Sequence, residues 1–189
     1  MKLLFTGASG FLGSNVRPLL EGMYGVKTVG LSPKDDYTID IAKEIPVLRE
    51  RYDIVLHVAG KAHSVPKTEA ERQVFFDVNL QGTKNLCTAL ERRRVPRAFI
   101  FISTVAVYGC AYGENITEDH PLDGDTPYAM SKRLAEEYLQ KWCYEHNVIL
   151  GIIRPSLIAG PNPPGNLGAM IHGIRSGKYL SIAGGQARK

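Results

Sequence analysis

The sequence contains little cysteine, and its few cysteines are not spaced as metal ligands or as a disulfide framework. Its 189 residues include three cysteines, Cys87, Cys110 and Cys143. Their number is odd, their spacing is wide and no C-x-x-C pair occurs, which argues against a zinc site and against a small disulfide-stapled domain. This usage is typical of a reducing compartment, and it predicts that the protein holds no metal ion.

Long hydrophobic runs are also missing. No stretch approaches the length of a membrane span, and the apolar run Leu3–Phe5 near the N-terminus is far too short for the hydrophobic part of a signal peptide. We therefore predict a cytoplasmic protein with no membrane partner.

Charge of one sign is not concentrated anywhere along the chain. The formal net charge is +4, and basic and acidic residues are interleaved. The densest basic run is Arg92–Arg94, followed by Arg97, and no aromatic residues alternate with these arginines. Such a run suits the C-terminal end of a helix, where cations complement the helix dipole. It does not indicate a nucleic-acid partner.

Short apolar runs alternate with longer helical patterns along the chain. The predicted strands are Lys2–Thr6, Lys27–Leu31, Ile54–Ala59, Ala98–Ile102 and Val148–Ile153. The predicted helices are Phe11–Glu21, Ile41–Arg51, Glu69–Arg93, Tyr128–His146 and Gly168–Ser176. This alternation predicts an α/β fold, with a doubly wound parallel sheet covered by helices on both faces.

The pattern changes after residue 160. Residues 161–165 read Pro-Asn-Pro-Pro-Gly, which is typical of a loop. The last residues, Gly184–Lys189, provide no closing helix or strand. We predict one domain over residues 1–160 and the start of a second, truncated domain over residues 161–189.

A glycine-rich loop joins the first predicted strand to the first predicted helix. Residues 6–13 read Thr-Gly-Ala-Ser-Gly-Phe-Leu-Gly. Gly7 permits the tight turn, Gly10 lets backbone approach a pyrophosphate, and Gly13 lets the helix pack closely on the strand. The helix N-terminus adds N–H groups and the positive end of a dipole. This context predicts a Rossmann fold that binds a dinucleotide. The expected contacts are Gly7, Ser9, Gly10, Phe11, Leu12 and Gly13.

The end of the second strand leaves the choice of dinucleotide open. A carboxylate about 20 residues after the glycines would hold the ribose 2′-hydroxyl of NAD. Ser32 occupies that position, with Lys34 close by, and this pair could accommodate the 2′-phosphate of NADP. Asp35 and Asp36 come slightly late, although one of them could reach back. The cofactor is therefore predicted to be NAD or NADP.

A tyrosine and a lysine share one face of a predicted helix. Tyr128 and Lys132 are four residues apart, and an ammonium near a phenol lowers its pKa towards working pH. Upstream, a buried strand ends in Ser103 and Thr104, where ligands of doubly wound sheets bind. Y-x-x-x-K alone is weak evidence. Together with Thr104 and the glycine loop, it predicts proton transfer to or from a substrate hydroxyl.

Seven motifs in this order resemble the extended short-chain dehydrogenase/reductase family, in its NAD-dependent epimerase/dehydratase branch. They are the glycine loop, Asp40-Ile41, His57–Lys61, Asn79–Thr83, Ser103-Thr104 before Val107–Gly109, the pair Tyr128 and Lys132, and Arg154-Pro155 with Gly160-Pro161. The resemblance extends over essentially the whole chain. It implies a nucleotide-sugar or other small hydroxyl or ketone substrate and a homodimer.

The same resemblance implies a role for each matching residue. Tyr128 would be the general acid/base, Lys132 would lower its pKa and bind the nicotinamide ribose, and Thr104 would hydrogen-bond the reacting oxygen. The further cofactor contacts implied are Ser32, Asp40, Ile41, Val58, Ala59, Gly60, Lys61, Asn79, Ile102, Ser103 and Pro155. Two simpler interpretations stay open: Asn79 as a hydrogen-bonding residue within its helix, and His57 as a core histidine with satisfied partners.

Two departures from the family pattern refine the predicted function. Dehydratases of the branch carry acidic residues after the catalytic hydroxyl, whereas this chain has Val105 and Ala106. This favours an epimerase or a reductase. Family members are longer, so residues 161–189 would only begin the substrate-binding domain. The alternatives are a ketone reductase acting on a non-sugar substrate and a non-catalytic NAD(P)-sensing module.

An apolar stripe on the helix that carries the tyrosine has two possible uses. Its residues are Leu134, Tyr138, Leu139 and Trp142. They could form a four-helix dimer interface together with the Glu69–Arg93 helix, or they could face the domain's own sheet.

Overall fold

A computed structural model describes residues 1–62, 64–110 and 112–178 of the chain. The strands are β1 (Lys2–Thr6), β2 (Gly25–Gly30), β3 (Tyr37–Thr38), β4 (Ile54–His57), β5 (Ala98–Ile102) and β6 (Ile149–Ile153). The helices are α1 (Phe11–Glu21), α2 (Glu69–Phe76), α3 (Gly82–Arg93), α4 (Pro127–Glu145) and α5 (Gly165–Arg175).

The six strands form one parallel sheet in the order β3-β2-β1-β4-β5-β6. The chain winds outward from β1 to one edge, returns to β4 beside β1, and then winds to the other edge. This topology confirms the predicted doubly wound Rossmann sheet. The carboxyl ends of β1 and β4 lie side by side, with Thr6 paired to His57. Ligands of such sheets bind at this reversal point.

The core lies between the sheet and the helices that cover it. The central strands contribute fully buried side chains, as parallel strands covered on both faces should. These are Leu4, Phe5, Val29, Val55, Phe99 and Phe101. Helix α3 adds Leu86 and Leu90, and α4 adds Ala135, Leu139 and Trp142.

The predicted helix over Ile41–Arg51 is wrong. Only one turn forms, in which the N–H groups of Lys43 and Glu44 both donate to the Asp40 carbonyl, at 3.0 Å each. Pro46 stops it, because proline lacks an N–H group and disfavours helical geometry in the residue before it. The Arg49 N–H donates instead to the Tyr37 hydroxyl at 3.1 Å.

The predicted long helix over Glu69–Arg93 is present, but it is not uniform. Between α2 and α3, residues Asp77–Gln81 form a π-helical segment. Such wide turns in helices are rare and occur frequently at functional sites. Here the π segment contains Asn79, a buried residue of the Asn79–Thr83 motif.

Part of the apolar stripe of α4 faces the domain's own sheet. Leu139 and Trp142 are buried in the hydrophobic core, and the half-buried Tyr138 packs against it. Leu134 is half-buried as well. Leu139 and Trp142 are therefore core residues, which leaves the outer side of the helix for any partner.

The chain divides into two compact units, Met1–Ile158 and Ala159–Lys189. The second contains α5, and residues 179–189, including the predicted open ending Gly184–Lys189, lie outside the described residues. That residues 161–189 begin a substrate-binding domain stays a prediction. None of the helices in the described part of the chain is both long and apolar enough to span a bilayer.

Candidate active site

The glycine loop packs against the segment that follows β4. Gly7 has φ +73°, a left-handed conformation that favours glycine, and a Cβ there would lie 2.5 Å from the Ala59 nitrogen. A Cβ on Gly13 would lie 2.2 Å from the Gly7 carbonyl oxygen. Gly7 and Gly13 thus allow the backbone contacts that the sequence predicts for them.

The N-terminus of α1 is shaped to receive an anion. Within the described residues, α1 has no side-chain cap at Gly10, whereas Thr68 caps α2 and Thr126 caps α4. Its first turn contains no carboxylate. Ser9 and Gly10 are exposed beside it, and Phe11 and Leu12 are half-buried. Because N–H groups and the helix dipole meet here, a pyrophosphate fits this end of the helix.

A carboxylate reaches back to the end of β2. The Asp35 Oδ2 atom accepts a hydrogen bond from the Ser32 N–H at 3.0 Å. A Cβ on Gly30, the last residue of β2, would lie 2.5 Å from that oxygen. Asp36 instead binds Lys27 and Thr28, and the Lys34 N–H donates to the Ser32 hydroxyl at 3.2 Å. Asp35 therefore places a carboxylate beside Ser32 at the end of β2.

The Asp40-Ile41 pair holds the loop after β3. The Asp40 carboxylate accepts from the Ala42 N–H at 3.1 Å, and the Ile41 carbonyl accepts from the Asn85 side chain at 2.7 Å. The Ile41 side chain is buried in the core and lies next to Gly82. Both residues have structural roles, and their contact with an adenine ring stays a prediction.

Residues 58–61 are fixed by hydrogen bonds from two directions. The N–H groups of Val58 and Ala59 donate to the Thr6 carbonyl and hydroxyl at 3.2 and 3.1 Å. The Asn79 side chain accepts from the Lys61 N–H at 2.8 Å and donates to the Lys61 carbonyl at 3.1 Å. Its amide also donates to the Ser131 hydroxyl at 2.9 Å. Asn79 therefore ties the loop after β4 to α4.

His57 is a core histidine whose ring nitrogens both have hydrogen-bond partners, which is the simpler of the interpretations that the sequence leaves open for it. Its ring nitrogens hydrogen-bond the hydroxyls of Thr6 at 2.6 Å and Thr83 at 2.9 Å. Burial, together with the charge of Lys132, lowers the pKa of His57 to about 3. The ring is therefore neutral at physiological pH and acts as a structural bridge.

Lys132 lies at the centre of the site and is buried. Its ammonium donates to the Ile102 carbonyl at 2.8 Å and lies 4.5 Å from the Phe101 ring centroid. A Cβ on Gly60 would come within 3.1 Å of the Lys132 Nζ and 3.0 Å of the Asn79 Oδ1. The backbone of the loop after β4 can therefore approach the Lys132 ammonium closely, because Gly60 has no side chain.

Thr104 and Tyr128 meet at the end of β5. The Thr104 hydroxyl donates a hydrogen bond to the Tyr128 hydroxyl and accepts one from the Ala106 N–H at 3.1 Å. Thr126 begins α4 by capping the Ala129 N–H, and this places Tyr128 in the first turn. The Phe75 ring, 6.2 Å away between centroids, packs beside the tyrosine.

The expected lowering of the tyrosine pKa is not what this arrangement gives. Burial raises the pKa of Tyr128 above its usual value of 10.0, and the Thr104 hydrogen bond offsets this only in part. The Lys132 ammonium is directed at the Ile102 carbonyl. The tyrosine is therefore protonated at neutral pH in this state and ready to act as an acid.

The lysine leads to a prediction about stability and pH. Burial lowers the pKa of Lys132 from 10.5 to about 8, although Glu136 partly opposes the shift. The unfolded chain thus holds this proton more tightly, and the free energy of unfolding should rise by about 3 kcal/mol as pH increases from about 8 to about 10.5. Urea unfolding across this range, compared with Lys132→Met, isolates the effect from ionising tyrosines. Parallel pH dependence in the two proteins would contradict it.

A buried ion pair behind Ser103 was not predicted from the sequence. Glu136, fully buried on α4, binds the guanidinium of Arg154 at 2.6 Å and accepts a hydrogen bond from the Ser103 hydroxyl. The Pro155 carbonyl accepts from the Val105 N–H at 3.1 Å. Arg154-Pro155 is one of the motifs that the sequence shows, but the partner of its arginine lies 18 residues away and follows no local pattern.

The structure brings most of the predicted site residues to one edge of the sheet. A continuous series of contacts runs from the glycine loop through Ala59 and Gly60 to Lys132. From there it passes through Ile102 to the end of β5, where Thr104 meets Tyr128. Ser32, Asp40 and Ile41 form a separate group beside β2 and β3.

Curated proteins similar to this chain include sugar epimerases and dehydratases. An N-acetyl-alpha-D-glucosaminyl-diphospho-ditrans,octacis-undecaprenol 4-epimerase of Escherichia coli O157:H7 is 31% identical over 191 residues, covering 97% of this chain and 56% of that protein. A human dTDP-D-glucose 4,6-dehydratase is 35% identical over 113 residues, covering 60% of this chain and 32% of that protein. The chain thus spans about half of the first relative and a third of the second.

A solved structure and a family profile extend the comparison. A UDP-glucose 4-epimerase of Thermotoga maritima, solved with UDP-glucose, superimposes with a TM-score of 0.79 at 25% identity, covering 96% of this chain and 65% of that one. The profile of the NAD dependent epimerase/dehydratase family matches residues 3–189. Because the family is NAD-dependent, this match confirms the predicted nicotinamide cofactor. The chain belongs to the NAD dependent epimerase/dehydratase family.

Proposed function

We propose that this chain carries the cofactor site and the proton-transfer centre of a nucleotide-sugar epimerase. One observation carries the proposal: the Tyr128 hydroxyl, the Thr104 hydroxyl and the Lys132 ammonium gather at the sheet edge to which the glycine loop leads. The loop suits a dinucleotide and the hydroxyls suit a carbinol or ketone oxygen.

The chain's own residues would hold the cofactor along this edge. The N–H groups at the start of α1 would bind the pyrophosphate, and the backbone of residues 58–61 would line the cofactor. The fit rests on Gly7 and Gly13, where Cβ atoms would collide with backbone, and on Gly60, where a Cβ would lie only 3.0 Å from the Asn79 Oδ1. Lys132, whose ammonium lies beside Gly60, would bind the nicotinamide ribose.

The proton and the hydride would leave the sugar separately. A bound oxidised nicotinamide would supply a hydride acceptor beside the carbinol carbon and, once reduced, a hydride donor. For this step Tyr128 would first lose its own proton to solvent. The phenolate would then take the hydroxyl proton while the C–O single bond becomes a carbonyl. Thr104 donates a hydrogen bond to the same oxygen. If the hydride came back to the opposite face of the ketone, Tyr128 would return the proton to the oxygen, and the carbon would be inverted.

The residues after Thr104 favour epimerisation over dehydration. Eliminating water from a sugar needs an acid and a base beside the reacting carbons. Val105 and Ala106 form a 3₁₀ turn at this point and supply neither. The E. coli relative is named as a 4-epimerase, which agrees with this choice. A reductase would need the same Tyr128 chemistry, with the hydride delivered only once.

We predict that NAD⁺ binds more tightly than NADP⁺. The Asp35 carboxylate, held at the end of β2 by the Ser32 N–H, would accept from a ribose hydroxyl and repel a 2′-phosphate. Asp35→Asn should narrow the ratio of the two dissociation constants by about tenfold. Isothermal titration calorimetry measures both constants. Asp36→Asn serves as the control, and equal effects of the two substitutions would contradict the assignment.

A substrate screen tests the proposed function. The purified protein is incubated with NAD⁺ and a panel of UDP- and GDP-sugars while the absorbance of reduced nicotinamide and the sugar stereochemistry are followed. We expect one or more sugars to be inverted at a single carbon, with only transient cofactor reduction. Stoichiometric reduction without inversion would indicate a dehydrogenase or reductase. No change with any sugar, in a protein that binds NAD⁺, would contradict the proposal.

Two further proposals concern the whole protein. A homodimer would use the outer sides of α2 and α4, since Leu139 and Trp142 belong to the core. Sedimentation velocity measures this state directly. The cytoplasmic location stays a prediction.

A further inference from the structure

The fully buried carboxylate of Glu136 joins three elements behind the site. It lies on α4, two turns after Tyr128 and one turn after Lys132. It accepts from the Ser103 hydroxyl, next to Thr104. It also binds the Arg154 guanidinium at 2.6 and 3.2 Å, just beyond β6. A buried carboxylate with this many partners fixes their relative positions, since each hydrogen bond constrains a direction.

Arg154 extends the same network towards the outside of the site. Its Nη1 donates to the Tyr108 hydroxyl at 2.9 Å and to the Glu118 carbonyl at 3.0 Å. Its guanidinium also lies 5.1 Å from the centre of the Tyr108 ring. The arginine therefore connects the buried Glu136 with the 3₁₀ turn and with the loop that leads to α4.

The backbone around Thr104 is held by the residues on either side of Arg154. The Ser103 N–H donates to the Ile153 carbonyl at 2.7 Å, and the Val105 N–H donates to the Pro155 carbonyl at 3.1 Å. Thr104 thus lies between two residues whose backbone N–H groups both hydrogen-bond to the segment Ile153–Pro155. The side chain in the middle of that segment, Arg154, is anchored to the helix that carries Tyr128.

We propose that Glu136 and Arg154 are a positioning pair, which fixes Thr104 relative to the part of α4 that carries Tyr128. Neither residue touches the reacting atoms; both act through Ser103, Thr104 and the end of β6. The role rests on the proposed function, because it concerns the proton-transfer step assigned to Tyr128. It adds that Glu136 and Arg154, which do not touch the reacting atoms, influence the pKa of Tyr128.

The charges around Glu136 and Arg154 allow a positioning effect on the Tyr128 pKa to be distinguished from a direct charge effect. Glu136 faces Arg154, just after β6, Ser103, just after β5, and Lys132 on its own helix. Tyr128 faces Thr104 and the Phe75 ring of α2. Removing the negative charge of Glu136 would by itself stabilise the phenolate and lower the tyrosine pKa. Losing the Thr104 hydrogen bond would raise it, so the two explanations predict opposite signs.

The test is a pH titration of tyrosine Cζ carbons by ¹³C NMR on the full chain. The Tyr128 signal is assigned from its disappearance in Tyr128→Phe. In Glu136→Gln we expect the pKa of Tyr128 to rise by about half a unit to one unit. Glu137→Gln, the same change one residue along α4 at an exposed site, should leave it unmoved. A fall or no change in folded Glu136→Gln would overturn the proposal.

A second variant covers the case in which Glu136→Gln does not fold. Ser103→Ala removes one partner of the carboxylate and leaves the ion pair with Arg154 intact. It should raise the Tyr128 pKa in the same direction by a smaller amount, and an unchanged pKa would overturn the proposal. The titration needs neither substrate nor cofactor, so a failed sugar screen would not affect it. In an active enzyme, Glu136→Gln should lower kcat with little change in KM.

Discussion

Replacing Tyr128 by phenylalanine is expected to lower kcat by about two to four orders of magnitude, the usual contribution of a general acid or base. The ring stays, so packing against Phe75 is kept and the fold should be unaffected. Only the hydroxyl that Thr104 contacts is lost. The dissociation constant for NAD⁺ should stay within about twofold, because the proposed cofactor contacts lie elsewhere.

The control for this variant is Tyr144→Phe. Tyr144 lies on the same helix but is 86% exposed and outside the site, so its loss should leave kcat unchanged. Steady-state kinetics with the best sugar from the screen, together with calorimetry for NAD⁺, separates the two effects. Unchanged turnover in Tyr128→Phe would remove the tyrosine from the proposed mechanism.

The second large effect is expected at the glycine loop. Gly13→Ala places a methyl group 2.2 Å from the Gly7 carbonyl oxygen and 2.7 Å from the Ala8 Cα, both backbone atoms of the preceding turn. Neither can move without displacing the loop from Ala59. We expect the free energy of unfolding to fall by about 3 kcal/mol or more, or the protein not to fold. Any folded fraction should bind NAD⁺ poorly.

Gly25→Ala provides the comparison. A Cβ there has its nearest neighbour at 3.9 Å, so the free energy of unfolding should change by no more than about 0.5 kcal/mol. Both variants are measured by urea unfolding monitored by circular dichroism. Equal stability of the two would show that the close approach at Gly13 is not needed.

The features that the sequence predicts best are those written in local patterns. Continuous apolar runs predict the central strands, because a strand that is covered by helices on both faces buries nearly all of its side chains. The glycine loop is predictable because the backbone packs so closely at Gly7 and Gly13 that any side chain there would clash. Tyr128 and Lys132 were found through helical spacing, in combination with hydroxyls at the end of β5.

The features it does not predict depend on contacts between distant residues. Glu136 reads as an ordinary helix residue, and only the fold brings it to Ser103 and Arg154. The helix predicted over Ile41–Arg51 failed because a single proline outweighs a favourable pattern over several residues. The sequence left open whether Asp35 or Asp36 reaches back to the end of β2, and only the turn formed by residues 32–35 shows that it is Asp35.

The tyrosine pKa shows a similar limit. Spacing correctly placed Lys132 one turn from Tyr128, and it suggested a direct charge effect. The direction of the shift depends instead on burial and on where the ammonium points, and the ammonium is taken up by the Ile102 carbonyl. Electrostatic effects of this kind follow from the three-dimensional environment and not from the order of residues.

The most direct test of the account follows the transferred hydrogen. The protein is incubated with NAD⁺ and a nucleotide sugar that carries deuterium on the carbon to be inverted, and the product is analysed by NMR and mass spectrometry. We predict that the inverted sugar keeps the deuterium, because one bound nicotinamide accepts and returns it, and that Tyr128→Phe gives no product. Inversion with loss of the deuterium to solvent would contradict hydride transfer at this site.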